Sequence, residues 1–163
     1  METKDNILYF AKIKDKAIIP SKSDENAGYD IYACVDDDIL LYPHETKLIP
    51  TGIAACVSEN YYLQVQERGS TGSKGIKYGA GVIDSGYRGE IFIAITNAND
   101  KSLCFASDPN VYNDNYIVYP LNKAIAQLIV HIVPRMEVKE ISYEELSSIP
   151  SKRGTGAIGS SGK

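Results

Sequence analysis

The chain has 163 residues, 17 Lys and Arg against 21 Asp and Glu, a net charge of -4, and 44% hydrophobic residues. This is the length of one domain with a core that needs no staples, and its ordinary globular composition excludes a disordered chain. The acidic balance excludes a nucleic-acid coat and a binder of anionic membranes, and no apolar run approaches the roughly 20 residues of a membrane span. The opening Met-Glu-Thr-Lys-Asp is too polar for a secretory signal. Cys34, Cys56 and Cys104 are odd in number and lack CxxC spacing. They read as reduced thiols, and His44 and His131 are too few for a histidine-rich metal centre. The expectation is a soluble cytoplasmic protein without nucleic-acid or membrane partners.

Short runs rich in Ile and Val recur along the chain. They cover Ile7–Ile13, Ile39–Leu41, Leu48–Val57, Leu63–Gln66, Glu90–Thr96, Tyr116–Tyr119 and Ala126–Val133. Leu63–Gln66 alternates cleanly, and Ile91, Ile93 and Ile95 fall on one face. Ala126–Val133 reads as a strand buried on both faces. Turn residues at Tyr42–His44, Ser58–Asn60, Asn97–Asp100 and Asp108–Asn110 separate the runs. Many short strands at regular spacing predict an all-β sandwich, jelly roll or barrel. Helix is expected only at Ser142–Ser148, where Ser142 and Glu145 form a capping-box pattern and Pro150 supplies the stop. From Ser151 onward Gly, Ser and Thr dominate, the composition of a mobile arm.

Four glycine-punctuated segments stand out: Ala27–Asp30, Glu67–Gly75, Gly79–Gly89 and the tail. Singly, each reads more readily as a loop or turn than as a site. Arg68–Gly75 and Arg153–Gly162 each join a cation to small residues whose N–H groups and hydroxyls can approach a phosphate. Neither has P-loop spacing. Read in order, the segments resemble the five signature motifs of the homotrimeric dUTPase family. AGYDIYA (Ala27–Ala33) is similar to the first, ERGSTGSKGI (Glu67–Ile76) to the second, and GAGVIDSGYRGEI (Gly79–Ile91) to the third. NKAIAQLIV (Asn122–Val130) and RGTGAIGSSG (Arg153–Gly162) resemble the fourth and fifth. The resemblance spans nearly the whole chain.

It implies a jelly-roll-like distorted β-barrel over residues 1–150 and an arm over 151–163 that closes across an active site at a trimer interface. The activity implied is hydrolysis of dUTP to dUMP and pyrophosphate with Mg²⁺. That reaction keeps uracil out of DNA and supplies dUMP for dTMP synthesis. By the same resemblance Asp84 positions and deprotonates the attacking water. The Gly79–Asp84 hairpin, with Ala80, Gly81, Val82 and Ile83, offers backbone groups to uracil, and Tyr87 packs under the deoxyribose. Arg68, Ser70, Arg153 and Ser160 contact phosphates, Gln127 lies near the α-phosphate, and Asp30 reaches the metal through water.

Three departures are visible. Gly69 stands where the family commonly has serine, Asn122-Lys123-Ala124 replaces Gly-Asp-Arg/Lys, and Asp100–Pro120 is a longer connection. A fourth, Ile158 beside Gly159, replaces the aromatic that stacks on uracil, a contact worth about 1–3 kcal/mol. A raised KM with chemistry largely intact is the expectation. The rival readings are a dCTP-deaminase-like enzyme and a nucleotide-gated regulatory relative that binds a partner protein through Asp100–Pro120. The Ile-Asp-x-x-Tyr-x-Gly context of Asp84 and the glycine-rich fifth motif favour the dUTPase.

Overall fold

The structure, a computed structural model, describes residues 6–156. Twelve strands run through them: β1 (Tyr9–Lys12), β2 (Gly28–Ile31), β3 (Ile39–Leu41), β4 (Thr46–Pro50), β5 (Ile53–Cys56), β6 (Tyr61–Gln66), β7 (Ile76–Gly79), β8 (Val82–Ile83), β9 (Phe92–Asn97), β10 (Ser102–Ala106), β11 (Tyr116–Pro120) and β12 (Ala126–Ile132). They form four small sheets, ordered β2-β12-β6-β8, β4-β9-β7, β11-β10-β3 and β1-β5. Ile31, Leu41, Ile53, Leu63, Ile93, Leu103 and Leu128 meet in one core to which all four sheets contribute. This is the jelly-roll-like arrangement expected. No described helix is long and apolar enough to cross a membrane.

Alternation sets which residues reach that core. Ile91, Ile93 and Ile95 are all buried, as their spacing predicts. The run Leu48–Val57 is not one strand. Gly52, at φ +65°, turns the chain between β4, which pairs with β9, and β5, which pairs with β1. Thr51 Oγ1 donates to the Ile91 carbonyl at 2.7 Å, and Glu90 Oε1 accepts from the Gly52 N–H at 2.7 Å. The turn is thereby tied to the entry of β9.

Several expectations are corrected. Helix is not limited to one turn: α1 (Gly69–Gly72) and α2 (Tyr143–Ser148) are both present, with a 3-10 turn at Pro109–Val111. α1 forms because Thr71, fully buried, exchanges hydrogen bonds with the Arg68 backbone at both its N–H and its C=O. α2 carries the predicted capping box: Ser142 Oγ accepts from the Glu145 N–H, and Glu145 Oε2 from the Ser142 N–H. Gly79–Asp84 is not a hairpin, because β7 pairs with β9 and β8 with β6. Ala80, at φ +49°, turns the chain out of one sheet into the other. β12 is buried on one face only: Ala126 and Leu128 are fully buried, whereas Gln127 and Ile129 are half-exposed.

The long connection holds β10 and β11 as a parallel pair. The chain must therefore return along its own length, and Asp38 anchors that return. Its carboxylate accepts from the N–H and Oγ of Ser107 at 2.8 and 2.6 Å and from Tyr112 OH at 2.8 Å. Those hydrogen bonds, Ser107's first, hold Asp38 below the usual carboxylate range. Beyond β12 every described residue to Pro150 is exposed, apolar Met136 (79%) and Val138 (93%) among them.

A Cβ at position 52 would lie 2.8 Å from Ala17 Cβ and 2.9 Å from Cys34 Sγ, in a backbone conformation that disfavours side chains. Gly52→Ala is expected to lose about 1–3 kcal/mol of stability in chemical denaturation.

Candidate active site

Most of the described residues singled out by sequence fall into two clusters on the β2-β12-β6-β8 sheet, one spread over β2, β12 and the end of β6, the other on β8 and the turn after it. The first cluster is polar. Arg68, between β6 and α1, makes a two-pronged ion pair with Asp30 of β2, Nε to Oδ1 at 2.9 Å and Nη2 to Oδ2 at 3.2 Å. Burial works to lower the guanidinium pKa, but Asp30 and Tyr119 outweigh it and hold the group above its usual value. Gly69, Ser70, Gln127 and Gly28 line the same pocket. Gln127 Nε2 donates to the Glu67 carbonyl at 2.7 Å, which turns the amide across Gly28. A Cβ at Gly28 would lie 2.3 Å from Gln127 Oε1, so glycine is required there. At Gly69 an added Cβ would meet nothing within 4 Å, so the serine common at this motif position would fit.

The second cluster sits on the corner after β7. Ala80, Val82, Ile83, Asp84 and Tyr87 line a pocket with Leu48, Glu90, Ile91 and Phe92. Gly79 and Gly81 flank Ala80 without lining it. The Gly81 carbonyl accepts from the Val65 N–H at 2.7 Å and so faces β6. Strand alternation then turns the N–H and C=O of Val82 to the open edge of β8. Asp84 is exposed at the head of the following turn, where its carbonyl accepts from the Tyr87 N–H at 3.1 Å. Tyr87 OH donates to the Glu90 carbonyl at 2.9 Å, which lays the ring over Gly89. A Cβ at Gly89 would stand 2.4 Å from that hydroxyl.

The two pockets share no residue. Arg153 lines neither and lies on an exposed turn, where its Nε donates to the Gly156 carbonyl at 3.1 Å. Ile158, Gly159 and Ser160 lie outside the described residues. Among the described residues no group of three or more His, Cys, Asp or Glu side chains is gathered to hold a metal. Two carboxylates line the polar pocket, Glu25 and Asp30, and the latter already faces Arg68.

Two tyrosines that carry no motif complete the polar cluster. Tyr78 of β7 donates to the Ile125 carbonyl, and Tyr119 of β11 donates to the Ala124 carbonyl at 2.9 Å. Consecutive carbonyls just ahead of Gln127 are thus clamped from two sides. Within apolar runs both tyrosines read as core. Only the unusual excess of 12 Tyr over 3 Phe hinted that phenol hydroxyls have work inside the fold.

A cation, hydroxyls and a glutamine in one pocket, with an open backbone edge and a carboxylate in the other, suit a nucleotide with a polyphosphate tail. Comparison with known proteins agrees. Residues 14–106 match the dUTPase family model. A deoxyuridine 5'-triphosphate nucleotidohydrolase of Hydrogenobaculum sp. is 32% identical over 159 residues, 95% of this chain and 97% of the relative. That of Nautilia profundicola is 32% identical over 160 residues, covering 96% and 99%. Among solved structures, the Staphylococcus bacteriophage 80alpha dUTPase with dUpNHpp aligns with a TM-score of 0.76 at 24% identity, over 97% of this chain and 99% of that one. The EIAV dUTPase aligns at 0.64 and 26% identity, over 84% and 98%. The chain belongs to the dUTPase family.

Burial pushes the Tyr78 phenol up to about 12. Its unfolded value is about 10, so the stability it confers is complete below pH ~10 and is lost as pH rises toward ~12. Denaturation midpoints are expected to fall across that window, and to fall less steeply in Tyr78→Phe.

Proposed function

We propose that the chain is a dUTP diphosphatase, cleaving dUTP to dUMP and pyrophosphate by attack of water on the α-phosphorus. One observation carries this reading. Two pockets share no residue, and their linings suit different parts of a nucleotide: the polar one the phosphates, the one beside β8 the base and sugar, neither sufficient alone. They come together between two copies of the chain, as in a homotrimer, with residues 151–163 of a third copy closing over the nucleotide. Ile132, Met136 and Val138, 72% to 93% exposed in the isolated chain, are the apolar surface such an assembly would cover.

Roles follow from chemistry. The outward N–H and C=O of Val82 pair with uracil as a neighbouring strand would, and cytosine presents the opposite pattern and is refused. The ring of Tyr87, fixed by its hydrogen bond to Glu90, meets the sugar and leaves no room for a ribose 2′-OH. Asp84 orients the water and takes its proton, while Arg68, Ser70 and Gln127, with Arg153 and Ser160 from the arm, hold the phosphates. An acidic chain cannot steer a polyanion by net charge, so these local groups must do it. So sparse a carboxylate set suits Mg²⁺ that is held mainly by phosphate oxygens and waters, with Asp30 touching it through water. Bound there, the ion would neutralise triphosphate charge.

Mixed trimers test the reading. Asp84→Asn should lose on the order of 10²–10⁴ in turnover yet still bind nucleotide, and Arg68→Ala should lose binding. Refolded together one to one, the two inactive chains should recover about a quarter of the wild-type pyrophosphate release from dUTP, because random pairing joins one intact half from each. No recovery would mean that a single copy supplies both halves. Release from dTTP, dCTP or UTP as fast as from dUTP would overturn the corner and Tyr87 assignments.

Ile158 gives a separate expectation. Ile158→Phe should restore part of a base stack worth about 1–3 kcal/mol and lower KM for dUTP, with kcat little changed in steady-state assays.

A further inference from the structure

The long connection delivers one side chain to the phosphate cluster that no motif assigns. Tyr119 is 1% exposed, and its ring packs edge-on against Phe105 with centroids 5.6 Å apart. Its hydroxyl stands at the meeting point of three groups. The Ala124 carbonyl is 2.9 Å away, Ser70 Oγ 3.2 Å, and Arg68 Nη1 3.4 Å. A phenol has one proton to donate. With that proton on Ala124, the oxygen only accepts, so in the hydrogen bond between the two hydroxyls Ser70, whose Oγ also accepts from Arg68 Nη1 at 3.4 Å, is the donor. A serine so engaged cannot donate to a phosphate. The Ala124 carbonyl, however, has a second donor, Arg68 Nη1 at 3.3 Å. It stays paired if Tyr119 turns away.

We propose that Tyr119 is a positioning residue for the triphosphate, acting through a hydroxyl that rotates. When phosphate arrives, Ser70 turns its proton to the phosphate oxygen, Tyr119 swings its own proton from Ala124 to Ser70 Oγ, and Arg68 keeps the Ala124 carbonyl paired. Every donor and acceptor is satisfied before and after, no proton leaves its oxygen, and no side chain moves beyond its hydroxyl rotor. In the bound state Ser70 is held from behind while it donates forward, and chained hydrogen bonds of this kind strengthen one another. The Asp100–Pro120 connection thus supports the site, since it carries Tyr119.

The proposal rests on Arg68 and Ser70 being the triphosphate contacts, so the experiment separates the two claims. Tyr119→Phe keeps the ring on Phe105 and removes only the hydroxyl. Steady-state pyrophosphate release should show KM for dUTP raised roughly three- to tenfold, the loss of the neutral hydrogen bond that holds Ser70 from behind. kcat should stay within about twofold. Inhibition by deoxyuridine, which has no phosphate, should be unchanged, whereas a general loosening of the fold would weaken it as well. Ser70→Ala should raise KM similarly, and the double variant should be no worse than the poorer single one. If Ser70→Ala raises KM and Tyr119→Phe does not, or if the two effects multiply, the rotor is refuted. If neither Ser70→Ala nor Arg68→Lys affects KM, the phosphate assignment falls and takes the rotor with it. Should Tyr119→Phe fail to fold, NMR of the wild-type protein with ring-labelled tyrosine decides. The Tyr119 signal should shift on saturation with pyrophosphate and stay still with deoxyuridine, and a still signal in both counts against the proposal.

Discussion

Strand β12 lies between β2 and β6, and the register of its two ladders fixes the polar cluster. Gln127 stands opposite Asp30 on one side and Gln66 on the other, while Ala126 and Leu128 point into the core. A slip of one residue would bury Gln127 and expose Leu128, so core packing enforces the placement of the polar groups. Gly28 shows how close the fit is, because the Gln127 side chain occupies the space any larger residue would claim. The Arg68–Asp30 pair is then set by the same sheet, since β2 presents Asp30 and β6 ends just ahead of Arg68.

Much of this was legible from the residues. The alternation in Leu63–Gln66 and in the Ile91, Ile93, Ile95 set marks faces that the structure buries, and the Ser142 capping box is present. What escaped was decided by long-range packing. Thr71 belongs to a glycine-rich stretch that reads as a loop, yet its burial and its hydrogen bonds to Arg68 wind that stretch into a helical turn. Gly79–Asp84 has the look of a hairpin, but its two arms join different sheets, and nothing local reveals that Ala80 takes a left-handed conformation. Thr51 and Gly52 split one apolar run because Glu90 and Ile91, far along the chain, hold the turn.

The site residues divide the same way. Motif resemblance names Asp30, Arg68, Asp84, Tyr87 and Gln127, each of which lines one of the two pockets. It says nothing of Tyr78 and Tyr119, whose role depends on which carbonyls they meet. In a low-dielectric setting an unpaired phenol would be costly, and here each has an acceptor. Polar groups in this interior are therefore arranged as fully as its apolar ones. Among the described residues no buried side-chain nitrogen or oxygen lacks a partner.

The position of β12 bears also on how the chain folds. It is the last strand in sequence among the described residues, yet it sits inside its sheet rather than at an edge. During synthesis β2 and β6 must wait with facing edges unpaired until it emerges, and such edges invite pairing with other chains. The ladder from β2 closes a loop of about a hundred residues and that from β6 one of about sixty, the kind of contact that forms late. Gln127 therefore joins Asp30 and Arg68 only in the final stage of folding, and a ribosome-bound fragment that stops short of Ala126 lacks the glutamine of the polar cluster.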